Sequence, residues 1–579
     1  MTESRCNFDF PLNVYTRVLE LETGGADYLH YGLFETPSMP LAAAQARSTA
    51  LLWQHLPPPC QLLEVGVGLG TTLARLTQAG YGAVGISPDA AQIAHVAARQ
   101  TLPLATRCCR LEDFMERAGQ WDALLFQESG QYIDPIDLFE QASQLLAEHG
   151  EILLLDEFAL RRETPGTDNL HLLPDFLALA GRFGFSIEVQ IDLSAQAAPT
   201  VDWLLYAVEK HAALLKADLG VTQEQLNDLN QSNRRYQANY GRGIYGYFLL
   251  KLRRTKPLRW RVGRLHSHNA VEMRSLFSEV FGHEMSAAHW QWKYGNERGC
   301  GMGVWRTDGR MVAHYGGVGR KTLMFGQPVT SVQVGDVMVS VDERGTLSRK
   351  GPIFLATATF LEQELGFGRA HLLGFGFPSE TAYRVAERLG LYGRVGFIQS
   401  VTWPTHLGAA SLSTKVRSLD RSDAANADTF NRCWQGMAND LGNHVAGVRD
   451  ASYMQHRYTH HPEKQYRVFV VSRRLSGRTL GLFVLRETQP GVCELLDVVG
   501  PLTHIPLLVR QARRVAAAWG CKFLFAWLTD NILSEFDLPA DASVKPVPVV
   551  VPCNIWTAGP DKALVDGKWW LTGGDTDFH

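Results

Sequence analysis

The residues of this chain best suited to bind a ligand are Glu64 and the three alternating glycines after it, Gly66, Gly68 and Gly70. An apolar run precedes Glu64, and an amphipathic run begins at Thr72. This order is typical of a buried strand, a tight turn and the first turn of a helix. Glycines let the backbone approach a ligand, and the N–H groups at a helix start favour polar or anionic groups. The segment therefore predicts a ligand site at the end of a strand.

The spacing of these glycines decides between two kinds of ligand. A dinucleotide fingerprint requires glycine or alanine three residues after the second glycine, and Thr71 occupies that position. An acidic residue followed by G-x-G-x-G instead resembles motif I of the class I S-adenosylmethionine (SAM) methyltransferases. The resemblance implies that Glu64 and the three glycines hold the methionine end and the ribose of SAM.

Four further positions are implied as SAM contacts by the same resemblance. In this family the second strand ends in an acidic residue that binds both ribose hydroxyls, whereas this chain has Ser87 there and Asp89 two residues later. The ribose contact is therefore expected from Asp89 or from Ser87 itself. Asp113 takes the position that binds the adenine amine. Gln127 ends a strand that resembles motif IV, at the edge where open α/β sheets place their ligands.

The choice of a catalytic base stays open at the level of sequence. Methyl transfer from SAM is an in-line displacement, and a base helps only when the acceptor must lose a proton. Glu128, His30 and Tyr132 are the candidates. His30 lies between Tyr28 and Tyr31 in a segment that resembles the N-terminal lid of small-molecule methyltransferases. Packing of these rings on the core explains the segment equally well.

Composition restricts the class of protein. The chain has 579 residues, 45% hydrophobic and 20% charged, which is typical of a soluble globular protein with several domains. A net charge of -3 argues against broad nucleic-acid binding, and no apolar run approaches the roughly 18 residues of a membrane span. The polar start predicts no signal peptide, so we expect a cytoplasmic protein. The nine cysteines show no C-x-x-C pair, and no bound metal is expected.

The elements that must position these residues follow a regular alternation. Strand-like and helix-like segments alternate over residues 25–254, which predicts a doubly wound, Rossmann-like α/β domain. We place the methyltransferase domain at residues 1–255. Residues 251–264 then carry seven basic side chains and no acidic one. This run is either a solvated strand end and linker or a docking patch for an acidic carrier protein.

A different pattern begins at residue 256. A strand over residues 332–339 leads through a loop rich in basic residues into a helix, and the loop contains Arg344, Arg349, Lys350 and Gly351. This arrangement resembles the GNAT acyltransferases, whose loop N–H groups bind the pyrophosphate of acyl-CoA at a helix N-terminus. The resemblance implies that these four residues contact acetyl-CoA or another acyl-CoA. The tyrosine that often acts as general acid in this family is replaced by Ala386, and the nearby substitutes are Tyr383, which we take as the candidate, and Tyr392.

The last third of the chain repeats the second. The segment around residues 289–294 returns at 453–458, each time followed by a strand, a turn and a strand. The repeat predicts two α+β GNAT-like domains, at residues 256–408 and 409–579. The second has no basic loop and is expected to be non-catalytic.

Two functions are consistent with these features. The first is a bifunctional tailoring enzyme that methylates and acylates a small amine-bearing metabolite, such as an amino sugar or an amino-acid derivative. The second is a methyltransferase alone, whose GNAT-like region binds substrate, a carrier protein or another subunit. The sequence identifies neither the acceptor atom nor the acyl chain, because functional sites depend on residues and not on folds.

Overall fold

The computed structural model describes residues 8–99, 103–162, 170–255, 258–296, 298–345, 349, 351–407, 412–419 and 426–576. The chain divides into two compact units. The first consists of Met1–Arg162 and Asp168–Gly263, and the second of Glu163–Thr167 and Arg264–His579. No helix within the described ranges is long and apolar enough to cross a membrane.

The first unit is built on one seven-stranded sheet. Its strands are β1 (Gln61–Val65), β2 (Gly82–Ser87), β3 (Thr106–Cys108), β4 (Trp121–Gln127), β5 (Leu146–Ala159), β6 (Phe185–Asp192) and β7 (Tyr245–Arg254). They lie in the order β3-β2-β1-β4-β5-β7-β6. The first five strands are parallel, and β7 is antiparallel to β5 and β6. The strand order reverses between β1 and β4, and ligands of open α/β sheets bind at this switch point, outside the carboxyl ends of the strands.

Nine helices of the first unit lie within its described residues. They are α1 (Leu12–Thr23), α2 (Leu41–His55), α3 (Thr71–Gln78), α4 (Ala90–Arg99), α5 (Pro135–Leu145), α6 (Leu173–Arg182), α7 (Ser194–Ala197), α8 (Pro199–Leu219) and α9 (Gln223–Gly241). Strand and helix alternate from β1 to β3 and from β4 to β6, as the sequence predicted, but within the described residues no helix joins β3 to β4. The pair α8 and α9 interrupts the alternation before β7. A Thr222–Gln225 capping box starts α9, because each side chain satisfies the other's backbone N–H.

The basic run at residues 251–264 is partly used inside the first unit. The Lys251 ammonium lies 2.8 Å from Oε2 of Glu151, and Arg253 pairs with both Glu151 and Glu188. These charges hold the end of β7 against β5 and β6. Docking of an acidic carrier protein on the run stays a prediction.

The remaining strands are β8 (Trp260–Arg264), β9 (Gly299–Arg306), β10 (Met311–Met324), β11 (Gln327–Val339), β12 (Leu373–Phe375), β13 (Tyr392–Pro404), β14 (Thr414–Ser418), β15 (Val445–Gly447), β16 (Arg467–Arg473), β17 (Thr479–Gln489), β18 (Val492–Val499), β19 (Phe523–Thr529), β20 (Ser543–Asn554) and β21 (Trp569–Trp570). The helices are α10 (Ala270–Phe281), α11 (Ala287–Tyr294), α12 (Pro352–Glu364), α13 (Glu380–Arg388), α14 (Asn426–Ala438), α15 (Ala451–Met454), α16 (Ile505–Ala518) and α17 (Lys562–Val565).

Two sheets of the second unit exchange strands between the halves of its sequence. One has the order β12-β11-β10-β15-β21, with β9 also paired to β10, and the other has the order β14-β16-β17-β18-β19-β13-β20. Strand β13, from the first half, lies between β19 and β20. Strands β15 and β21, from the second half, extend the first sheet. A division between residues 408 and 409 would therefore cut hydrogen-bonded partners apart in both sheets.

A buried charge cluster fixes the end of the chain in the second unit. The Arg449 side chain is fully buried and donates to Asp497 over 2.8 Å and to Asp575 over 2.5 Å. Its third bond, of 2.7 Å, goes to the Gly447 carbonyl. Because both carboxylates are also fully buried, they require such charge compensation, and Arg320 adds a second, longer ion pair to Asp575 at 3.5 Å.

Candidate functional site

The loop between β1 and α3 adopts the conformation that its glycines permit. Gly66, Gly68 and Gly70 have φ of 85°, 52° and 78°. A Cβ on Gly66 would lie 2.4 Å from Ser129 Cβ, and one on Gly70 would lie 2.8 Å from Val96. At Gly68 the nearest atom would be a Leu29 methyl at 3.8 Å. Packing therefore requires the outer two glycines, whereas the middle one faces open space.

Glu64 brings a carboxyl group to this loop from the end of β1. The side chain is 2% exposed, and its Oε2 has no hydrogen-bond partner among the described residues. Burial raises the Glu64 pKa to about 8. A buried acceptor without a donor is costly, so this atom suits a ligand that donates a hydrogen bond.

Gln127 supplies a complementary unpaired group on the other side of the switch point. The register pairs Val65 with Phe126, so Gln127 is the next residue along the adjacent strand. Its Oε1 accepts a 3.1 Å hydrogen bond from Thr72, while its buried Nε2 has no partner among the described residues. No side chain caps the first turn of α3. The loop thus offers an acceptor, an amide donor and a helix start to one ligand.

The residues expected at the ribose and adenine occupy different environments. Ser87 is buried at the end of β2, and its Oγ accepts from the Asp89 N–H over 3.1 Å. Asp89 caps α4, because its Oδ1 accepts from the N–H groups of Ala91 and Gln92. The other Asp89 oxygen makes no hydrogen bond within the described residues. Asp113 is exposed in a turn after β3. Ser87 and Asp89 lie at the carboxyl end of β2, and Asp113 follows β3. Their contacts to SAM stay predictions.

The segment predicted as a lid lies against both loops of the switch point. The Asp27 carbonyl accepts from Thr71 over 2.6 Å, and the Tyr31 N–H donates to Glu128 over 2.5 Å. His30 is buried, and its ring nitrogens contact the Tyr31 carbonyl at 2.9 Å and Thr49 Oγ1 at 3.1 Å. Burial lowers the His30 pKa to about 4. Both ring nitrogens are therefore engaged in holding the segment, and neither is presented to a substrate in this structure.

Beside the glycine loop lies a group of acids and phenols that we call the acid–tyrosine cluster. Its members are Glu128, Asp156, Glu157, Tyr31, Tyr240 and Tyr247. Glu128 Oε1 accepts from the Tyr247 hydroxyl over 2.6 Å, and Glu157 accepts from the Tyr240 hydroxyl over 2.7 Å. The rings of Tyr31 and Tyr247 are stacked at 5.7 Å. The cluster therefore joins the loop after β4, the end of β5 and the start of β7.

Burial and mutual repulsion keep these carboxyl groups weakly acidic. Burial raises the pKa of Asp156 to about 7 and that of Glu157 to about 8, and it raises the Glu128 pKa well above its ordinary value. The negative charge of Glu157 raises the Glu128 pKa further. Among the described residues, no lysine or arginine forms an ion pair with these three acids. Such a cluster suits a cationic ligand or a proton-transfer role.

Glu128 also has an unusual backbone. Its φ of 57° lies in the left-handed region, which a non-glycine residue rarely adopts. The Glu128 N–H donates to the Leu155 carbonyl over 2.9 Å, and Asp156 accepts from the Gln131 N–H over 3.2 Å. These bonds hold the strained residue at the end of β4, and such strain is often kept at functional sites. Tyr132, in the turn that follows, is 83% exposed.

Four members of the acid–tyrosine cluster were not anticipated from the sequence: Asp156, Glu157, Tyr240 and Tyr247. The signal for the first two was present. Asp156 and Glu157 directly follow the apolar run of β5, and the carboxyl ends of parallel strands share one edge of the sheet. Tyr247 gave no such signal, because β7 is antiparallel and its first residues reach the same edge from the opposite direction. Tyr240 gave none because it belongs to α9, near the end of that helix.

The residues expected to bind acyl-CoA lie in the second unit. Arg349 donates to the Leu389 carbonyl over 3.3 Å and lies over the Trp556 ring. Gly351 is the N-cap of α12, and no side chain caps that helix. Arg344 is exposed after β11. Lys350 lies outside the described residues.

Tyr383, the expected general acid of the acyl site, is 1% exposed and donates to Glu387 over 2.8 Å. The guanidinium of Arg394 lies 5.5 Å from the centre of its ring. The hydroxyl is thus bonded within its own helix. Its role in acyl transfer stays a prediction.

Comparison with solved structures finds similarity over about two fifths of this chain, in its N-terminal part. The cyclase SpnF is 18% identical over 42% of this chain and 93% of its own, with a TM-score of 0.37. The cyclopropane synthase MmaA2 of Mycobacterium tuberculosis is 20% identical over 41% and 93%, with a TM-score of 0.36. A geranyl diphosphate C-methyltransferase of Streptomyces coelicolor A3(2) is 18% identical over 41% and 93%, with a TM-score of 0.32.

No protein-family model matches the sequence, and no curated protein matches it. Similarity to solved structures at this level does not define a reaction.

Proposed function

We propose that the first unit binds SAM and transfers its methyl group to a small molecule that carries an amine. The observation that carries this proposal is the buried Oε2 of Glu64, which has no hydrogen-bond partner among the described residues, in the same segment in which Gly68 faces open space. A cofactor with hydroxyl groups and an ammonium group can supply the missing donor. The uncapped first turn of α3 and the unpartnered amide of Gln127 add polar contacts for the same ligand.

The acid–tyrosine cluster supports an amine as the acceptor. Its three carboxyl groups are uncompensated among the described residues, so a cationic amine entering the cluster would offset their charge. Tyrosine faces stabilise ammonium groups by cation–π attraction. A cation would favour the ionised forms of these carboxyl groups, whereas a neutral or anionic acceptor would leave them protonated. The cluster therefore favours amines over alcohols of the same size.

Glu128 is the residue best suited to take the proton from the amine. Its two hydrogen bonds from Tyr31 and Tyr247 both end on Oε1, which leaves Oε2 for a substrate N–H. A raised pKa makes its carboxylate a stronger base than an exposed glutamate. Bound SAM would supply an electrophilic methyl group on its sulfonium. A bound ammonium would first give a proton to the Glu128 carboxylate, which frees the nitrogen lone pair. The amine nitrogen would then bond to the methyl carbon as the carbon–sulfur bond breaks, leaving S-adenosylhomocysteine and a methylammonium product.

Cofactor binding can be tested with two matched glycine variants. Calorimetry on the full chain should show binding of SAM and of S-adenosylhomocysteine. Gly68→Ala should weaken it at least about tenfold, because the new methyl group occupies the ligand's space. Gly80→Ala is the control, since Gly80 also has positive φ, 89°, and nothing within 4 Å of an added Cβ. Absent binding to the native chain, or equal binding by both variants, would contradict the proposal.

The acceptor class can be tested with labelled SAM. A panel of small primary amines and the corresponding alcohols should show transfer of label to amines only. Glu128→Gln should abolish transfer and leave SAM binding within about twofold, because the amide cannot accept the proton. Transfer to the alcohols alone would refute the amine assignment without affecting SAM binding.

A second function, acyl transfer by the second unit, is favoured by one observation. Strand β11 leads through Arg344 to the uncapped start of α12 at Gly351, a geometry suited to an anionic ligand. Arg349 would have to leave the Leu389 carbonyl to reach it. Calorimetry with acetyl-CoA should show binding that Arg349→Ala weakens and that salt screens. No binding at millimolar concentration would leave the methyltransferase as the only activity.

A further inference from the structure

Three side chains of types that bind transition metals meet in the second unit. Cys300 belongs to β9, Glu364 is the last residue of α12, and His371 lies in the loop before β12. One ligand atom of each lies within 4.8 Å of those of the other two. His371 Nδ1 and Glu364 Oε2 are 3.8 Å apart. Because the three residues are scattered in the sequence, no ligand spacing indicates this group.

The backbone holds His371 next to Glu364. The His371 N–H donates to the Glu364 carbonyl over 3.1 Å, and the Gly366 N–H donates to the His371 carbonyl over 2.9 Å. Gly366 has φ of 115°, and a Cβ there would lie 2.3 Å from the Ala558 carbonyl. A Cβ on Gly319 would lie 3.2 Å from His371 Nε2. The loop and the imidazole ring are therefore closely confined, which is what a preformed ligand set requires.

Each of the three side chains has an unused ligand atom. His371 Nδ1 is buried and has no hydrogen-bond partner among the described residues. Glu364 Oε1 accepts a 2.5 Å hydrogen bond from Arg264, and Oε2 takes no part in that bond. Within the part of the chain that the structure describes, the hydrogen bond of the Cys300 thiol is a long one, 3.9 Å, to the Gly317 carbonyl. A buried imidazole nitrogen without a partner is costly unless something binds it.

We propose that Cys300 Sγ, His371 Nδ1 and Glu364 Oε2 form a binding site for a divalent transition-metal ion, with Zn²⁺ as the best match. Thiolate, imidazole and carboxylate together are a typical zinc ligand set, and three protein ligands leave a fourth tetrahedral position for water. Zinc bonds of about 2.0–2.3 Å require the three atoms to move slightly closer together. The thiol proton passes to solvent when the ion binds.

The charges around the site are compatible with an ion. The thiolate and carboxylate neutralise two positive charges, and Arg264 orients Glu364 from its other oxygen. Metal-bound carboxylates commonly accept such a second hydrogen bond. Deprotonation of a buried thiol is unfavourable without a metal, so affinity should rise with pH.

Cobalt is a suitable probe because Co²⁺ takes the place of Zn²⁺ and its bond to a thiolate absorbs in the near ultraviolet. The full chain is stripped with a chelator and titrated with CoCl₂, and zinc retained after dialysis is counted by mass spectrometry. One equivalent of either metal is expected, with the thiolate band. Cys300→Ser should remove the band, and Glu364→Gln and His371→Gln should each weaken binding at least about tenfold.

Two variants serve as matched controls. Cys433→Ser and His444→Gln change a buried cysteine and a half-buried histidine of the same unit. Both should retain the band and the stoichiometry. If Cys300→Ser does not fold, the metal affinity of Glu364→Gln, whose side chain has nearly the same shape as glutamate, tests the proposal instead. Failure of the native chain to retain one metal ion, or unchanged binding by Glu364→Gln and His371→Gln, would overturn the proposal.

Discussion

Tyr247 and Glu128 are 119 residues apart in the sequence and are joined by a 2.6 Å hydrogen bond from the phenol to the carboxyl group. The bond links the start of β7 to the strained residue that follows β4. Stacking of Tyr247 on Tyr31 extends the link to the segment that covers the glycine loop. One phenol thus aligns the proposed base and supports the covering segment.

Replacing Tyr247 by phenylalanine separates these two contributions. Tyr247→Phe keeps the ring that stacks on Tyr31 and removes the hydrogen bond to Glu128. A lost bond to a charged group corresponds to about 1.5–3 kcal/mol, so kcat should fall by about 10- to 150-fold. SAM affinity should change by less than about twofold, since the cofactor loop is untouched. The control is Tyr206→Phe, at an exposed position. A native kcat in Tyr247→Phe would refute the alignment role.

The raised pKa of Glu157 predicts how stability depends on pH. Its pKa is about 8 in the folded chain and near 4.5 when unfolded, so the folded state holds the extra proton between these values. The free energy of unfolding should therefore fall as pH rises from about 5 to 8, by at most about 1.4 kcal/mol per pH unit for this group. Glu157→Gln should reduce that slope, as measured by urea unfolding at several pH values.

The control for the pH experiment is Glu188→Gln. Hydrogen bonding to Arg253 lowers the Glu188 pKa, so its contribution is present above its ordinary pKa and is lost only in acid. This variant should leave the slope between about pH 5 and 8 unchanged. Equal slopes for Glu157→Gln and the native chain would show that Glu157 is not a weak acid in the folded state.

Sequence reasoning predicted the conformation of the glycine loop because its signals are local. Glu64 and the glycines occur within seven consecutive residues, and positive φ at three positions is a requirement that glycine satisfies best. It did not predict the acid–tyrosine cluster, where Glu157 and Tyr240 are brought together by the long pair α8 and α9 and by the antiparallel β7. Those contacts depend on tertiary structure, and no short motif encodes them.

The second unit shows the same limit at the level of domains. The repeat near residues 289–294 and 453–458 indicates two similar halves, and strand and helix types within each half follow from it. The pairing of the strands does not follow from the repeat. Pairing of β13 with β19 and β20 joins residues far apart in sequence. The alternation of apolar and polar residues along a strand would be satisfied in either sheet, so it does not indicate which sheet the strand joins.

The expected ribose contact of Asp89 can be separated from its capping role. Asp89→Ala removes both the N-cap of α4 and any contact with the ribose. Asp89→Ser retains an N-cap, because serine caps helices about as well as aspartate. If Asp89 binds the ribose, both variants should lose about 1.5–3 kcal/mol of SAM affinity, and only Asp89→Ala should also lose about 0.5–2 kcal/mol of stability. Native affinity in Asp89→Ser would assign the ribose to Ser87 or to water.

The buried cluster of Arg449, Asp497 and Asp575 should contribute strongly to the stability of the second unit. Arg449 and Asp575 are both fully buried, and their contact is 2.5 Å long. Asp575→Ala leaves a buried guanidinium with Asp497 as its remaining carboxylate, and breaking such a cluster costs about 3–5 kcal/mol. Calorimetry of the full chain should show a lower midpoint for one unfolding transition. Asp566→Ala, at an exposed carboxylate, is the control and should leave that midpoint unchanged. SAM should still bind Asp575→Ala with native affinity, because Glu64 and the glycine loop belong to the first unit.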